Sequence, residues 1–124
     1  MINRVTLLGR LKGPAEFAQG ADGSRYAVLT VTTWYRWTDR ETGRRRSKAD
    51  EHTVLTFRRD LLGYLERRAT SGAAVYVEGA LGSVRGASGE RLAAVLVHRD
   101  GTVRLVDAAM AGAEDEAGPE HDAA

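Results

Sequence analysis

The chain has 124 residues, 18 Lys and Arg against 17 Asp and Glu, and no cysteine, which allows one domain with a core of its own and excludes disulfide frameworks and thiolate metal sites. His52, His98 and His121 stand in separate segments, so no metal centre or other cofactor is expected. No apolar run approaches the roughly 20 residues of a membrane helix, and the polar Asn3 and Arg4 do not open a signal peptide; the expectation is a soluble, cytoplasmic protein.

Val5, Leu7, Gly9 and Leu11 alternate with Arg4, Thr6, Leu8 and Arg10, which predicts a first strand over residues 2–11 with one buried face. Gly9 inside it permits a bulge or a sharp bend. Gly13 and Pro14 stop the strand, and residues 19–24 supply a turn cluster. A second strand follows, with Tyr26, Val28, Thr30 and Thr32 on one side and Ala27, Leu29, Val31 and Thr33 on the other. It runs into Trp34, Tyr35 and Trp37, interleaved with Arg36, then into a turn over residues 39–43 and the cations Arg44, Arg45, Arg46 and Lys48. Rings that stack on bases, set beside groups that neutralise phosphate, suit single-stranded nucleic acid. The same residues also read as core aromatics beside a solvated loop. Residues 39–50 are polar and charged, and are expected to form a mobile loop in a long hairpin whose third strand resumes at about Glu51 and reaches Phe57.

Asp60 is expected to cap a short helix with Leu61, Leu62 and Leu65 as its apolar stripe and Gly72 as its stop signal. A fourth strand over residues 73–81 would place Val75, Val77 and Leu81 on one face and Tyr76 and Glu78 on the other, with Gly82, Gly86 and Gly89 making the next connection. Residues 92–98 form the fifth strand, Asp100 and Gly101 a turn, and residues 102–106 resume extended. A domain over residues 1–110 is then followed by a tail over 111–124, predicted disordered, whose only charges are Glu114, Asp115, Glu116, Glu120 and Asp122. Setting those five aside leaves 12 acids against 18 bases, a balance of +6 carried mostly by arginine, which suits nucleic acid and also other acidic surfaces. Five strands with a helix between the third and fourth make an all-β chain with the topology of the five-stranded OB-fold barrel. An SH3-like barrel and an α+β sandwich are left open by pattern alone.

Several segments resemble the bacterial single-stranded-DNA-binding protein family. Met1-Ile2-Asn3-Arg4-Val5 with Leu8-Gly9-Arg10-Leu11 resembles its opening, Trp37 to Gly43 (WTDRETG) its post-strand turn, His52 to Phe57 its third strand, and Val75 to Leu81 (VYVEGAL) its fourth. The resemblance implies an OB-fold that assembles as a homotetramer and coats single-stranded DNA without sequence preference in replication, recombination and repair. By that resemblance Trp37 and Phe57 are stacking platforms, and Asn3, Val5 and His52 belong to the subunit interface. Trp34, Tyr76, Arg36, Arg44, Arg45, Arg46, Lys48 and Arg85 complete the expected DNA contacts. Glu51 stands where the family has a tryptophan, and the connection over residues 82–91 lacks the family's aromatic, so binding should lean on charge more than on stacking. The tail ends Asp122-Ala123-Ala124, without the apolar tip through which the family recruits replication and repair proteins, and recruitment by that route is not expected.

No catalytic constellation is visible. Gly82, Gly86 and Gly89 lack the Lys-Ser/Thr of a phosphate loop. Asp39, Glu41, Asp50 and Glu51 lie among arginines and read as ion-paired surface. The chain is therefore expected to be no enzyme, with a small nuclease on the same scaffold as the contrary case. The alternative function is that of an interaction protein similar to primosomal replication protein N, a dimer bridging other replication proteins.

Overall fold

The computed structural model describes residues 1–109; the acidic tail expected over 111–124 lies outside the described residues. Seven strands and one helix occur in the order β1 (Val5–Leu11), β2 (Glu16–Gln19), β3 (Arg25–Thr38), β4 (Arg45–Thr56), α1 (Arg59–Arg68), β5 (Ala74–Arg85), β6 (Arg91–Val97) and β7 (Thr102–Leu105). Pairing runs β1-β3-β4-β6-β5, and β5 returns to β1, so five strands close a barrel while β2 and β7 add short edges to β3 and β5. This is the OB-fold, with the helix between its third and fourth barrel strands.

Alternation decides what the barrel encloses. Ala27, Leu29 and Val31 of β3, Val54 of β4 and Val75 and Val77 of β5 point inward and are buried, while their neighbours along each strand face outward. Leu61, Leu62 and Leu65, at helical spacing, put one apolar stripe of α1 against that core, and burying a leucine as fully as Leu65 contributes roughly 1.5–3 kcal/mol. Tyr64 joins the helix to β7 by accepting the Leu105 amide at 2.9 Å.

Closure depends on β1 changing partners. Residues 5–10 pair with β5, from Val5 opposite Gly79 to Arg10 opposite Ala74, while Arg10 and Leu11 also pair with Thr32 and Val31 of β3. At that crossing β1 and β3 approach so closely that a Cβ on Gly9 would fall onto the Thr32 carbonyl oxygen. The bend expected at Gly9 is thus a close backbone approach. At the opposite seam β4 and β6 run parallel only over Val54–Thr56 and Val95–Val97. There the Thr56 hydroxyl donates to the Val97 carbonyl at 3.0 Å and accepts the Arg58 amide at 3.2 Å.

Several boundaries differ from the sequence reading. The first strand begins at Val5, because Asn3 does not enter the ladder as backbone; its side-chain amide instead donates to the Leu81 carbonyl at 2.9 Å and accepts the Leu81 amide at 2.8 Å. Of the loop expected over residues 39–50, the second half is strand: β4 starts at Arg45, opposite Thr38, and the register runs unbroken to Thr56 opposite Ala27. Charge disguised it: within residues 45–51 only Ser47 is buried, so no apolar alternation marks the strand. Asp60 does not cap α1. Arg58 occupies the cap position without a side-chain cap bond, and Asp60 in the first turn receives the Arg58 guanidinium at 2.6 Å. That guanidinium also donates to the Gly101 carbonyl, tying the helix start to the β6–β7 turn. Gly82 lies within β5 and not in the connection, and Leu81 is exposed, two residues beyond Gly79, where the β5 pairing with β1 ends. β2 was not foreseen; its four residues fall between two turn clusters.

Candidate nucleic-acid interface

Because β4 and β6 run side by side in the same direction only at their C-terminal ends, the residues before those ends leave the barrel together. Thus the β3–β4 and β5–β6 hairpins project from one end of the barrel.

Antiparallel partners share a face, so the register sorts the expected contacts. On one face of the β3–β4 hairpin Tyr35 lies opposite Lys48 and Trp37 opposite Arg46. The two rings stack on each other at 5.6 Å between centroids and 25° between planes, and Tyr35 is 65% exposed. Trp34, opposite Ala49, and Arg36, opposite Ser47, point the other way. The expected contacts are therefore divided between two faces, Trp37 on one and Trp34 and Arg36 on the other, because odd and even positions of a ladder do not share a face. Tyr35 takes the place given to Trp34 beside Trp37. Counting by twos from Trp37 identifies it.

The face that carries Trp34 continues down the outer wall of the barrel through Thr32 and Glu51, Thr30 and Thr53, and Val28 and Leu55. At its far end Phe57 is 49% exposed, with its ring 4.9 Å from that of Tyr26. An open depression of about 360 Å³ lies here between Leu55, Phe57, Val84 and Leu96, bordered by the cations Arg58 and Arg99. A second, of about 290 Å³, includes Lys12, Val28 and Thr30. Glu51 is not a bare carboxylate on this wall. The Lys12 ammonium lies 2.9 Å from it.

The hairpin tip is built by Asp39. Its carboxylate accepts the Glu41 amide at 2.8 Å, the Thr42 amide at 3.4 Å and the Arg46 Nε–H at 3.1 Å, while Gly43 turns the chain at φ 72°. Arg46 is thus partly committed to the turn, Lys48 lies 3.6 Å from Asp50, and Arg44 and Arg45 are exposed. These bonds, the Glu41 amide first and the Arg46 guanidinium among the rest, hold the Asp39 carboxyl below its ordinary range, with partial desolvation opposing. A lowered folded-state pKa stabilises the fold above the unfolded value near 3.9 and ceases to do so as pH falls through the folded value. Asp39→Ala should therefore lower the melting temperature at neutral pH, and the gap from wild type should shrink below about pH 4. A gap that stays constant with pH would contradict this role.

On the β5–β6 hairpin Arg85 lies opposite Arg91, two cations in direct register, with Arg85 bonded to the Gly89 carbonyl at 3.1 Å and Arg91 to the Ser83 hydroxyl at 2.9 Å. Arg91 escaped the sequence reading, although pairing across the Ser88-Gly89 turn would have found it. Tyr76 is not part of this end. It lies between Leu8 of β1 and Arg104 of β7, and its hydroxyl is bonded to Glu78, which raises its pKa. Tyr76, expected among the DNA contacts, is thus placed apart from the two hairpins. Of the expected interface residues, Asn3 is engaged with Leu81, Val5 packs at the edge of the core, and His52 Nε2 lies 2.8 Å from the Thr33 hydroxyl.

Comparisons with known proteins agree with this architecture. A single-stranded DNA-binding protein of Rhizobium meliloti is 36% identical over 80 residues, 64% of this chain and 46% of that protein. Its counterpart in Rickettsia felis is 31% identical over 80 residues, 64% of this chain and 53% of that one. The chain thus spans about half the length of the curated relatives it matches. Among solved structures, one described as Plasmodium falciparum SSB complex with ssDNA superposes with a TM-score of 0.75 at 21% identity, over 86% of this chain and 96% of that one, and has the same fold. Residues 2–95 match the model of the single-strand binding protein family, and the chain belongs to that family.

Proposed function

We propose that this chain binds single-stranded DNA without sequence preference, covering it during replication, recombination and repair, and that it does so in the cytoplasm on the nucleoid. The observation that carries the reading is the cross-strand register in which Trp37 faces Arg46 and Tyr35 faces Lys48. It sets base-stacking rings beside phosphate-neutralising cations on a projecting hairpin. Phe57 supplies a separate ring on the outer wall, and Arg85 and Arg91 add charge at the hairpin end of the barrel. Base-edge readout needs donors and acceptors fixed in a groove, whereas stacking and charge accept any base.

Filter binding of a labelled oligo(dT) against unlabelled single-stranded and duplex competitors tests the reading. The expected result is displacement by the single strand and little by duplex, with affinity falling steeply with salt, by about 0.7 in logarithmic slope per neutralised phosphate. Equal displacement by duplex, or affinity indifferent to salt, would contradict it. Recovering the oligonucleotide intact after incubation with Mg²⁺ is the expected outcome for a binder, and cleavage would make the chain a nuclease.

Assembly as a homotetramer is part of the proposal, with a homodimer of the bridging type as its alternative. Residues 5–9 of β1 have β5 on one edge and no strand on the other among the described residues, and Leu8 is exposed beside them. An open edge of this kind accepts another strand. Mass in solution distinguishes the two states.

A further inference from the structure

We infer that Glu51 is an affinity-limiting residue on the outer wall, acting by occupying Lys12 and so withholding one cation from DNA phosphate; this rests on the binding reading above. Glu51 lies opposite Thr32, on the same face as Trp34, Thr30 and Leu55 and on the wall between Trp34 and Phe57, next to the Trp34 end. A strand running between those rings passes over it. Its carboxylate holds the Lys12 ammonium at 2.9 Å, and both side chains are more than half exposed. Lys12 is fixed by its backbone on both sides: its amide donates to the Thr30 carbonyl at 2.9 Å and its carbonyl accepts the Ser71 hydroxyl at 3.1 Å. The Lys12 backbone is therefore held beside the wall, which keeps its ammonium within reach of Glu51.

An exposed ion pair of this kind is weak and exchanges readily for another anion. A phosphate arriving at Lys12 must displace Glu51, leaving that carboxylate beside the DNA backbone with its own cation lost. Binding therefore gains little from Lys12 and meets repulsion from Glu51. The pair limits affinity without blocking the wall, which favours release and movement along the strand.

The test uses the full chain with E51Q, K12Q and the double variant, titrated with oligo(dT) from low to physiological salt. The expected result is that E51Q binds about two- to fivefold tighter at low salt, the range an exposed pair spans, with a logarithmic salt slope steeper by about 0.7. K12Q alone should weaken binding modestly, because it leaves Glu51 without its cation, and the double variant should return to about wild-type affinity and salt slope. Equal affinity of wild type and E51Q overturns the inference, as does a double variant that binds as tightly as E51Q, which would mean general repulsion without Lys12. Failure of wild type and E51Q alike to capture the oligonucleotide overturns this inference together with the binding reading. Capture by wild type without any E51Q effect overturns the inference alone.

Discussion

Replacing Trp37 and Phe57 together by alanine is expected to weaken capture of a pyrimidine oligonucleotide by two to four orders of magnitude at fixed salt, since each stacked base is worth about 1–3 kcal/mol. The two positions are separate platforms. Trp37 sits on the projecting hairpin, stacked on Tyr35 at 5.6 Å, whereas Phe57 lies at the other end of β4, beside Tyr26 at 4.9 Å. Residues so placed share no partner, and their effects should add. Neither belongs to the sealed core, so the variant should melt close to wild type. Trp37→Phe and Phe57→Tyr keep a ring and should keep most of the affinity. The salt slope should change little in the alanine variant, because the cations remain. If affinity and slope fell together, the rings would be acting through the hairpin's fold and not through bases.

Gly9→Ala is expected to cost about 1–3 kcal/mol or more, the range for forcing an added carbon into a filled site. The methyl would meet the Thr32 carbonyl, a backbone group that cannot rotate away, and the Thr33 side chain at 3.1 Å. Relief would require β1 to move off β3 where it leaves the β5 ladder, which opens the barrel. Denaturant unfolding should show a lower midpoint with an unchanged slope if the barrel stays closed. A smaller slope would mean the native state itself has loosened. Gly13→Ala is the control, since a carbon there meets nothing within 4 Å.

Much of this architecture was legible because barrel strands with one buried face alternate visibly. Leu29, Val31, Val54, Val75 and Val77 all fall inward at the positions that period-two counting assigns. Legibility failed where a strand buries no apolar side chain. From Arg45 to Glu51 only Ser47 is buried and the strand is held by its register with β3, so charge made it look like a loop. The same failure hid the site's geometry. Trp34 and Trp37 are close in sequence and on opposite faces, and Arg85 and Arg91 are distant in sequence and directly opposed. Composition told which chemistry was available, whereas only pairing told which groups share a surface. The Lys12–Glu51 contact links β3's neighbour across the barrel wall and has no signature in spacing at all.

Tryptophan emission tests the central claim most directly, because Trp34 and Trp37 are the chain's two indoles. Titrating oligo(dT) into the Trp34→Phe variant leaves Trp37 as the reporter. The account predicts saturable quenching that salt reverses. Emission that stays constant while the oligonucleotide is demonstrably bound would contradict it, because no base would then be resting on the hairpin ring.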